Sequence, residues 1–527
     1  MFQNVKMTFK LNNKSITIAE GTTILQAAQK EGIEIPTMCY GEGYHNHPSC
    51  MVCMVKDAKT GKLLPSCATR IIDGMEIITD DEEVKEVRKE ALELLMSDHV
   101  GDCEAPCRVA CPAFMDIPKM NRLIAAGKFA EALQIVKQEI ALPLILGYIC
   151  PAPCEKVCRR TSVDEAVSIC QLKKLVAAED YKKTNPWFPP KQKPSGKKIA
   201  VIGSGPAGLA CAFHLVQNGH KAIVFDKEMK PGGALLKLPN DHLPAEMLQT
   251  EISWLENFGV EFRLGELITK GVFETKLSAE YDALILATGI CESNVPHFLG
   301  LEYHNTGLIA DPETFETRLP GVFACGSIIR EQKMAVKALA QGKAAAASVD
   351  KYLSGEKPKI KTRKFNSKFG KLKPEEIDEY LKESIEGNRL LPGAGKLDGF
   401  VNDEAVIEAQ RCMHCDCRKV DNCKLRDHSD QYDIDRRKYL GTERNSIKKH
   451  ATHPVIIYEP EKCIRCGLCV DIAKGEKGLA GLTFIGRGFT VKIDIPFNEK
   501  LKDALKDTAL KCAELCPTGA ISKKLDV

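Results

Sequence analysis

KKIAVIGSGPAGLACAFHLVQNGHKAIVFDKE, residues 197–228, decides the fold of the middle of the chain. A short apolar run, Ile199–Ile202, reads as a buried strand that leads through Gly203, Gly205 and Gly208 into a helix. In that setting the first glycine makes the tight turn. The second lets backbone approach a pyrophosphate at the helix N-terminus, and the third permits close helix–strand packing. Pro206 and Ala207 lie in the same loop, and Asp226 ends the second strand where an acceptor for a ribose hydroxyl is expected. GxGxxG alone is a weak signal. Strand, helix, second strand and acid together predict a dinucleotide-binding βαβ unit.

Further on, Gly232 and Gly233 follow in KPGGALL, and ALILATGI (283–290) supplies a later strand whose end carries Thr288 and Gly289. PGVFACGSI (320–328) resembles the closing motif of FAD-binding Rossmann-like proteins, with Gly326 kept. Ser327 stands there in place of the usual aspartate. The resemblance implies bound FAD, contacted by Gly203, Gly205, Pro206, Ala207, Gly208, Asp226, Gly232, Gly233, Thr288, Gly289, Gly326 and Ser327. Flavoproteins of this kind often insert a second Rossmann domain for NADPH between these last two motifs. Only about 30 residues separate Gly289 from Pro320, about as many as a single βαβ unit needs and far fewer than a domain, and no second strand-associated glycine fingerprint occurs.

Composition explains what surrounds this unit. The 527 residues imply several domains, and a formal net charge of +3 gives no general attraction to nucleic acid. No uncharged apolar run is long enough for membrane insertion, and the N-terminus reads as a strand rather than a signal peptide, so a cytoplasmic location is expected. The 23 cysteines are the anomaly. In a reducing compartment, clustered thiols read as metal or cluster ligands rather than disulfides.

The first group is Cys39, Cys50, Cys53 and Cys67, following a hairpin and a short helix. Four thiolates on a loop-rich segment suit a [2Fe–2S] cluster, and the spacing lacks the paired knuckles usual for zinc. This segment resembles the N-terminal β-grasp [2Fe–2S] domain of the complex I large iron–sulfur subunit and of iron-only hydrogenases. An amphipathic stretch follows, with Val84, Val87, Ala91, Leu94 and Leu95 on one face. Then comes HVGDCEAPCRVACPAFMDIP, carrying His99, Cys103, Cys107 and Cys111, and later GYICPAPCEKVCRR with Cys150, Cys154 and Cys158; Cys170 lies beyond. This text resembles the helical two-[4Fe–4S] domain of the glutamate synthase small subunit and dihydropyrimidine dehydrogenase. The resemblance implies one cluster on Cys103, Cys107 and Cys158, and another on Cys111, Cys150 and Cys154. The sequence departs from the family at both fourth positions: His99 stands in for a cysteine, and Cys170 lies one turn before Lys173, which aligns with the family's non-cysteine ligand. Ligation by His99 and Cys170 is expected over a surface histidine and a packed core thiol.

Two more groups lie beyond the βαβ unit. Residues 355–373 form a basic run, read as a linker or an arm on an acidic neighbour, and PEEIDEYLKESI reads as a surface helix. Cys412, Cys415, Cys417 and Cys423 form a compact set that suits either a [4Fe–4S] cluster or structural zinc; His414 and His428 nearby read as surface residues. Cys463, Cys466 and Cys469, with the distant Cys516 before proline, have the pattern of one bacterial ferredoxin [4Fe–4S] site. That region resembles the two-cluster ferredoxin segment of hydrogenases and NAD-linked formate dehydrogenases, with the second cluster lost. Ala473, Ala509 and Lys506 replace its ligands, leaving Cys512. Cys211, Cys291 and Cys325 also remain over, and read as packing residues.

The expected architecture is a multidomain α/β and α+β chain. It comprises a β-grasp [2Fe–2S] ferredoxin domain (1–79), a helical two-[4Fe–4S] domain (80–190) and a Rossmann-like FAD domain (196–354). A linker and helix (355–410), a four-cysteine segment (411–452) and a C-terminal bacterial-ferredoxin-like domain (453–527) complete it. The expected function is an electron-transfer subunit of a larger oxidoreductase. Its partners would be redox subunits of hydrogenase, formate dehydrogenase, aldehyde oxidoreductase or NADH-oxidising flavoprotein type, or a ferredoxin, with no role for nucleic acid. A self-contained NAD(P)H oxidoreductase and a non-enzymatic iron–sulfur or zinc scaffold are the alternatives. No catalytic acid, base or nucleophile emerges.

Overall fold

The computed structural model describes residues 6–45, 47–290, 301–304, 306–357, 363–475 and 481–524. The chain divides into two compact units. One gathers residues 1–105, 363–383 and 415–527; the other holds 106–362 and 384–414. These differ from a simple reading in chain order, because the helix after the first domain and the segment around Cys417 both join the terminal regions.

In the first unit, strands Lys6–Leu11 and Lys14–Ala19 form a tight hairpin, with Asn12 and Asn13 in the left-handed turn. The five-stranded sheet adds Glu76–Ile78, Met54–Asp57 and Leu63–Pro65, with Glu76–Ile78 parallel to the first strand. Alternation in KMTFKL and KSITIA points Phe9, Leu11, Ile16 and Ile18 at the helix Ile24–Lys30, whose Thr23 and Gln26 make a reciprocal capping box. The next helix, Glu82–Ser97, buries Val84, Arg88, Ala91, Leu92 and Met96. Val84 and Ala91 lie on the buried face as expected and Val87 and Leu95 are half-buried, but Leu94 is exposed, while Leu92 and Met96 are buried instead. Arg88 enters the interior to donate to the Met54 and Thr79 carbonyls.

The basic run after residue 362 behaves as an arm on acidic neighbours. Phe365 N donates to Asp430 at 2.6 Å and Phe369 N to Asp102 at 2.9 Å. The helix Pro374–Leu381 is anchored rather than superficial, since its buried Glu376 pairs with Arg444 and accepts from Ile447 N at 2.9 Å. The C-terminal part pairs Ile456–Tyr458 antiparallel with Ile521–Lys523 and packs helices Leu468–Lys474 and Ala509–Leu515 around Tyr458.

The second unit is built on a five-stranded sheet in the order Val322–Ala324, Ala283–Leu286, Lys198–Ile202, Lys221–Asp226, Glu261–Leu264, parallel throughout. Apart from the edge strand Glu261–Leu264, its strands are apolar and buried on both faces, as a sheet covered by helices requires. Helix Pro206–Gln217 follows the glycine turn and packs against Ala335–Leu353 so closely that a Cβ on Gly342 would lie 2.2 Å from the Ala207 carbonyl oxygen. Helices Ile117–Ala125, Phe129–Glu139, Pro143–Ile149 and Ile169–Tyr181 share the same core. Glu251, from the helix Ala245–Phe258, caps Pro143–Ile149 by accepting from Leu144 N and Ile145 N at 2.7 and 2.8 Å. Among the described residues no single helix is long and apolar enough to cross a membrane.

Candidate cluster and cofactor sites

Cys39, Cys50, Cys53 and Cys67 are brought together by the loop that follows the first helix and by the strand Met54–Asp57. All four are buried. Cys39 is within hydrogen-bonding reach of Cys50 and Cys67, and Cys53 of Cys67. The sharing of protons pulls Cys39 far below the usual thiol range, while its partner and burial push Cys50 far above it. Four crowded, buried thiols cannot all ionise unless a cation replaces their protons. The set therefore fits a two-iron cluster.

The C-terminal group behaves alike. Cys463, Cys466, Cys469 and Cys516 line one cavity with Tyr458, Leu468, Ile493 and Ile521. Burial pushes Cys463 up to about 12, with Cys516 adding to it. Gly467, in the left-handed region at φ +79°, turns the chain so that successive cysteines face inward. Cys466 also feels the charge of Cys39, so this group adjoins the first one. Cys512 is buried beside Cys469, with its thiol 3.9 Å from the Cys469 carbonyl.

In the second unit, Cys111, Cys150, Cys154 and Cys170 line a cavity together with Met115, Ile169 and Lys173. Cys170 lies in hydrogen-bonding reach of Cys150 and Cys154. Lys173 is buried against the same thiols. Burial opposes its charge, but Cys170, Cys150, Cys111 and Cys154 together raise its pKa above the ordinary lysine value. It is placed as a counter-charge, and the sulfur that completes the group is that of Cys170.

The remaining thiols are distributed differently from the local groupings that spacing suggests. Cys103 belongs with the first unit, where Cys417 N donates to its carbonyl at 3.1 Å and the two thiols act on each other's ionisation. Burial, then Cys417, pushes Cys423 up to about 12. Cys107, Cys158 and Cys412 are half-buried against the core of the second unit, with Cys158 facing Arg411. Cys415 is half-buried in the first unit. The compact Cys412–Cys423 set is thus shared between the two units. His414 is buried rather than superficial, at positive φ. His428 is half-buried, and burial lowers its pKa. Among the described residues no group of three or more His, Cys, Asp or Glu is placed to hold a single metal ion.

The glycine turn forms an open cradle. A Cβ on Gly203 would lie 2.4 Å from the Ala287 carbonyl oxygen, and one on Gly208 would lie 1.9 Å from that of Gly203, whereas Gly205 faces open space. Asp226 accepts from Ser204 N at 2.7 Å and from Ser204 Oγ at 2.5 Å, so it also rigidifies the turn, a role that spacing did not reveal. Gly233 lies against Gly205, and Gly232 N donates to the Ser204 carbonyl at 3.1 Å. Gly289 borders open space, and Gly326 N donates to Gln341 while packing on Ala207. Ser327 Oγ accepts from Gln332 N. Pro206 starts the helix where its missing N–H is no loss. Thr288 follows the strand Ala283–Leu286 by two residues. Cys211 and Cys325 are buried side by side behind the turn, within hydrogen-bonding reach, as core residues. Cys291 lies outside the described residues.

These geometries meet three known domain families. Residues 4–82 match a 2Fe-2S iron-sulfur cluster binding domain, and 78–185 match dihydropyrimidine dehydrogenase domain II, a 4Fe-4S cluster domain. Residues 197–298 match the pyridine nucleotide-disulphide oxidoreductase family. The chain carries iron–sulfur and pyridine nucleotide oxidoreductase-type domains. It is 35% identical to the beta subunit of the NADP(+)-dependent formate dehydrogenase of Moorella thermoacetica, over 41% of this chain and 32% of that protein. It is 36% identical to the beta subunit of the NADPH-Fe(3+) oxidoreductase of Geobacter sulfurreducens, over 38% and 30%. With the glutamate synthase [NADPH] small chain of Bacillus subtilis the identity is 34%, over 36% and 40%. The chain spans about a third of the length of the first two of these relatives.

Proposed function

We propose that the chain is an electron-transfer subunit of a multi-subunit oxidoreductase, passing electrons between partner redox subunits through iron–sulfur clusters and FAD. The observation that carries this reading is the succession of thiol groups within the first unit. Cys39 and Cys466 act on each other electrostatically, and so do Cys423 and Cys516. Neighbouring clusters on such ligands would form a series. Relatives named as formate dehydrogenase and iron-reducing subunits support a relay between partners.

In this reading the β-grasp domain holds a [2Fe–2S] cluster on Cys39, Cys50, Cys53 and Cys67. One [4Fe–4S] cluster sits on Cys463, Cys466, Cys469 and Cys516, and another on Cys111, Cys150, Cys154 and Cys170. FAD would be held by Gly203, Gly205, Gly208 and Gly233 of the cradle together with Gly289, Gly326 and Ser327. When bound, it links one-electron carriers to a two-electron exchange. The chain's own groups set the electrostatics. Lys173 offsets negative charge at its cluster, and the N-terminus of Pro206–Gln217 offers backbone N–H groups to a pyrophosphate. Between Gly289 and Pro320 the described residues form only a short hairpin, Tyr303–His304 with Gly307–Leu308. Electrons would thus come from a partner rather than from a nicotinamide held there.

The test is anaerobic purification with bound proteins identified, then iron and flavin counts and a challenge with NADPH. A co-purifying redox subunit and a flavin that NADPH alone leaves oxidised are expected. A solitary chain whose flavin NADPH bleaches would instead establish a self-contained dehydrogenase.

A further inference from the structure

We propose that His99, Cys103, Cys417 and Cys423 together ligate one iron–sulfur cluster, assembled from two distant segments of the chain. The proposal rests on the electron-transfer reading for its role, while its ligand set stands on geometry within the first unit.

The two segments are fastened to each other. Cys417 N donates to the Cys103 carbonyl at 3.1 Å, and Cys103 N donates to the Ser367 carbonyl at 3.1 Å. Beside them, Arg426 pairs with Glu104 at 2.6 Å and donates to the Val420 and Phe365 carbonyls at 2.8 Å each. This brace fixes the loop from Cys417 to Cys423 against the one carrying Cys103. Ser367 N lies 3.4 Å from Cys103 Sγ, and Cys417 Sγ is so enclosed that a Cβ on Gly519 would lie 2.2 Å from it. Backbone N–H groups directed at ligand sulfurs are a recurring means of setting cluster potential. Cys423 is buried at the start of the helix Lys424–Gln431 and acts electrostatically on both Cys103 and Cys417.

His99 completes the set. Val100 N donates to the Glu461 carbonyl at 2.9 Å, and Gly101 has room only for hydrogen against Lys462, where a Cβ would lie 2.7 Å from Cε. These contacts hold His99 in the interior at 8% exposure, with Nδ1 lacking any hydrogen-bond partner. A buried polar atom left without a partner is costly, which a ligated metal would relieve. Two cations triangulate its position: Lys462 acts on His99 and on Cys417, and Arg436 on His99 and on Cys103. Cys412, by contrast, belongs to the other unit and is half-buried on its core.

A cluster with one neutral imidazole carries less negative charge than an all-thiolate one, so it takes up an electron more readily. It would be the highest-potential site of the series in this unit, next to Cys516.

The full chain, purified anaerobically, tests this by metal counts and electron paramagnetic resonance. Cys417→Ser and Cys103→Ser are each expected to lose about four iron atoms and the same reduced-cluster signal, which Cys412→Ser retains. The native protein should show a strongly coupled nitrogen in pulsed spectra of that signal. His99→Cys should abolish the coupling and lower the midpoint while keeping the iron. Because the nitrogen coupling is read on the unmodified chain, a serine variant that fails to fold does not shield the proposal. Cys412→Ser removing the same signal as Cys417→Ser, loss of zinc instead of iron, or no nitrogen coupling that His99→Cys removes, would overturn it. A chain that shows this cluster yet binds no redox partner would sink the proposed function and leave the site standing.

Discussion

Cys170 and Lys173 sit one turn apart on the helix Ile169–Tyr181, and their division of labour shows what single residues contribute. The thiol lines a cavity with three others, and the ammonium of Lys173, lining the same cavity, faces them as a positive charge. Cys170→Ser should therefore remove about four iron atoms per chain, read by metal analysis. Lys173→Gln should retain them but make that cluster harder to reduce, read as a lower midpoint in a redox titration. Glu251 provides a different reading. Burial raises its pKa to about 7, although the Ile145 and Leu144 N–H groups and Tyr181 favour the ionised form. The folded state thus holds this proton more tightly than the unfolded chain does. The resulting stabilisation is complete below the ordinary glutamate value and lost as pH rises through about 7, on the order of 3 kcal/mol. Thermal unfolding of the flavin-containing unit should come at lower temperature at pH 8 than at pH 5, and Glu251→Gln should flatten that dependence.

At the scale of elements, the glycine turn was legible because its chemistry is local: every contact that excludes a side chain lies within one strand–turn–helix and the strand end beside it. Gly208→Ala would drive a methyl into the Gly203 carbonyl. The variant should purify with its iron but without flavin absorbance; retained flavin would contradict the cradle. The structure also brings together Cys39, Cys50, Cys53 and Cys67, and Cys463, Cys466 and Cys469 with the distant Cys516, whose place before proline marked it in the sequence. The partners of Cys103 were not legible. The family resemblance implies a cluster that Cys103 shares with Cys107 and Cys158, whereas the hydrogen bond from Cys417 N and the approach of Ser367 N to its sulfur come from distant segments of the chain and are invisible to the local text. In the helix Glu82–Ser97 the hydrophobic pattern missed a buried arginine, Arg88, whose guanidinium donates to the Met54 and Thr79 carbonyls, and placed the exposed Leu94 inside. Lys137 and Asp180 were also hidden. Fully buried and 2.7 Å apart, they tie the helix Phe129–Glu139 to the entry of the linker, where Trp187 N donates to the same carboxylate. Asp180→Ala strands the ammonium and should cost about 3–5 kcal/mol, seen as a lowered unfolding temperature.

For the whole molecule, the family matches account for the first ferredoxin-type domain, the helical cluster domain and the start of the dinucleotide-binding fold. The union of residues 1–105 with the C-terminal region was not evident in chain order, because contacts between distant segments create it. That union brings the Cys39, Cys463 and Cys423 groups near one another, the arrangement on which the proposed relay rests. The central claim is that electrons reach the flavin through these sites and a partner. Its most direct test is anaerobic reduction of the purified complex, following flavin absorbance and cluster resonance together. The account predicts that the partner's donor reduces clusters and flavin, and that NADPH given to the isolated chain reduces neither. Immediate bleaching of the flavin by NADPH in the isolated chain would contradict it.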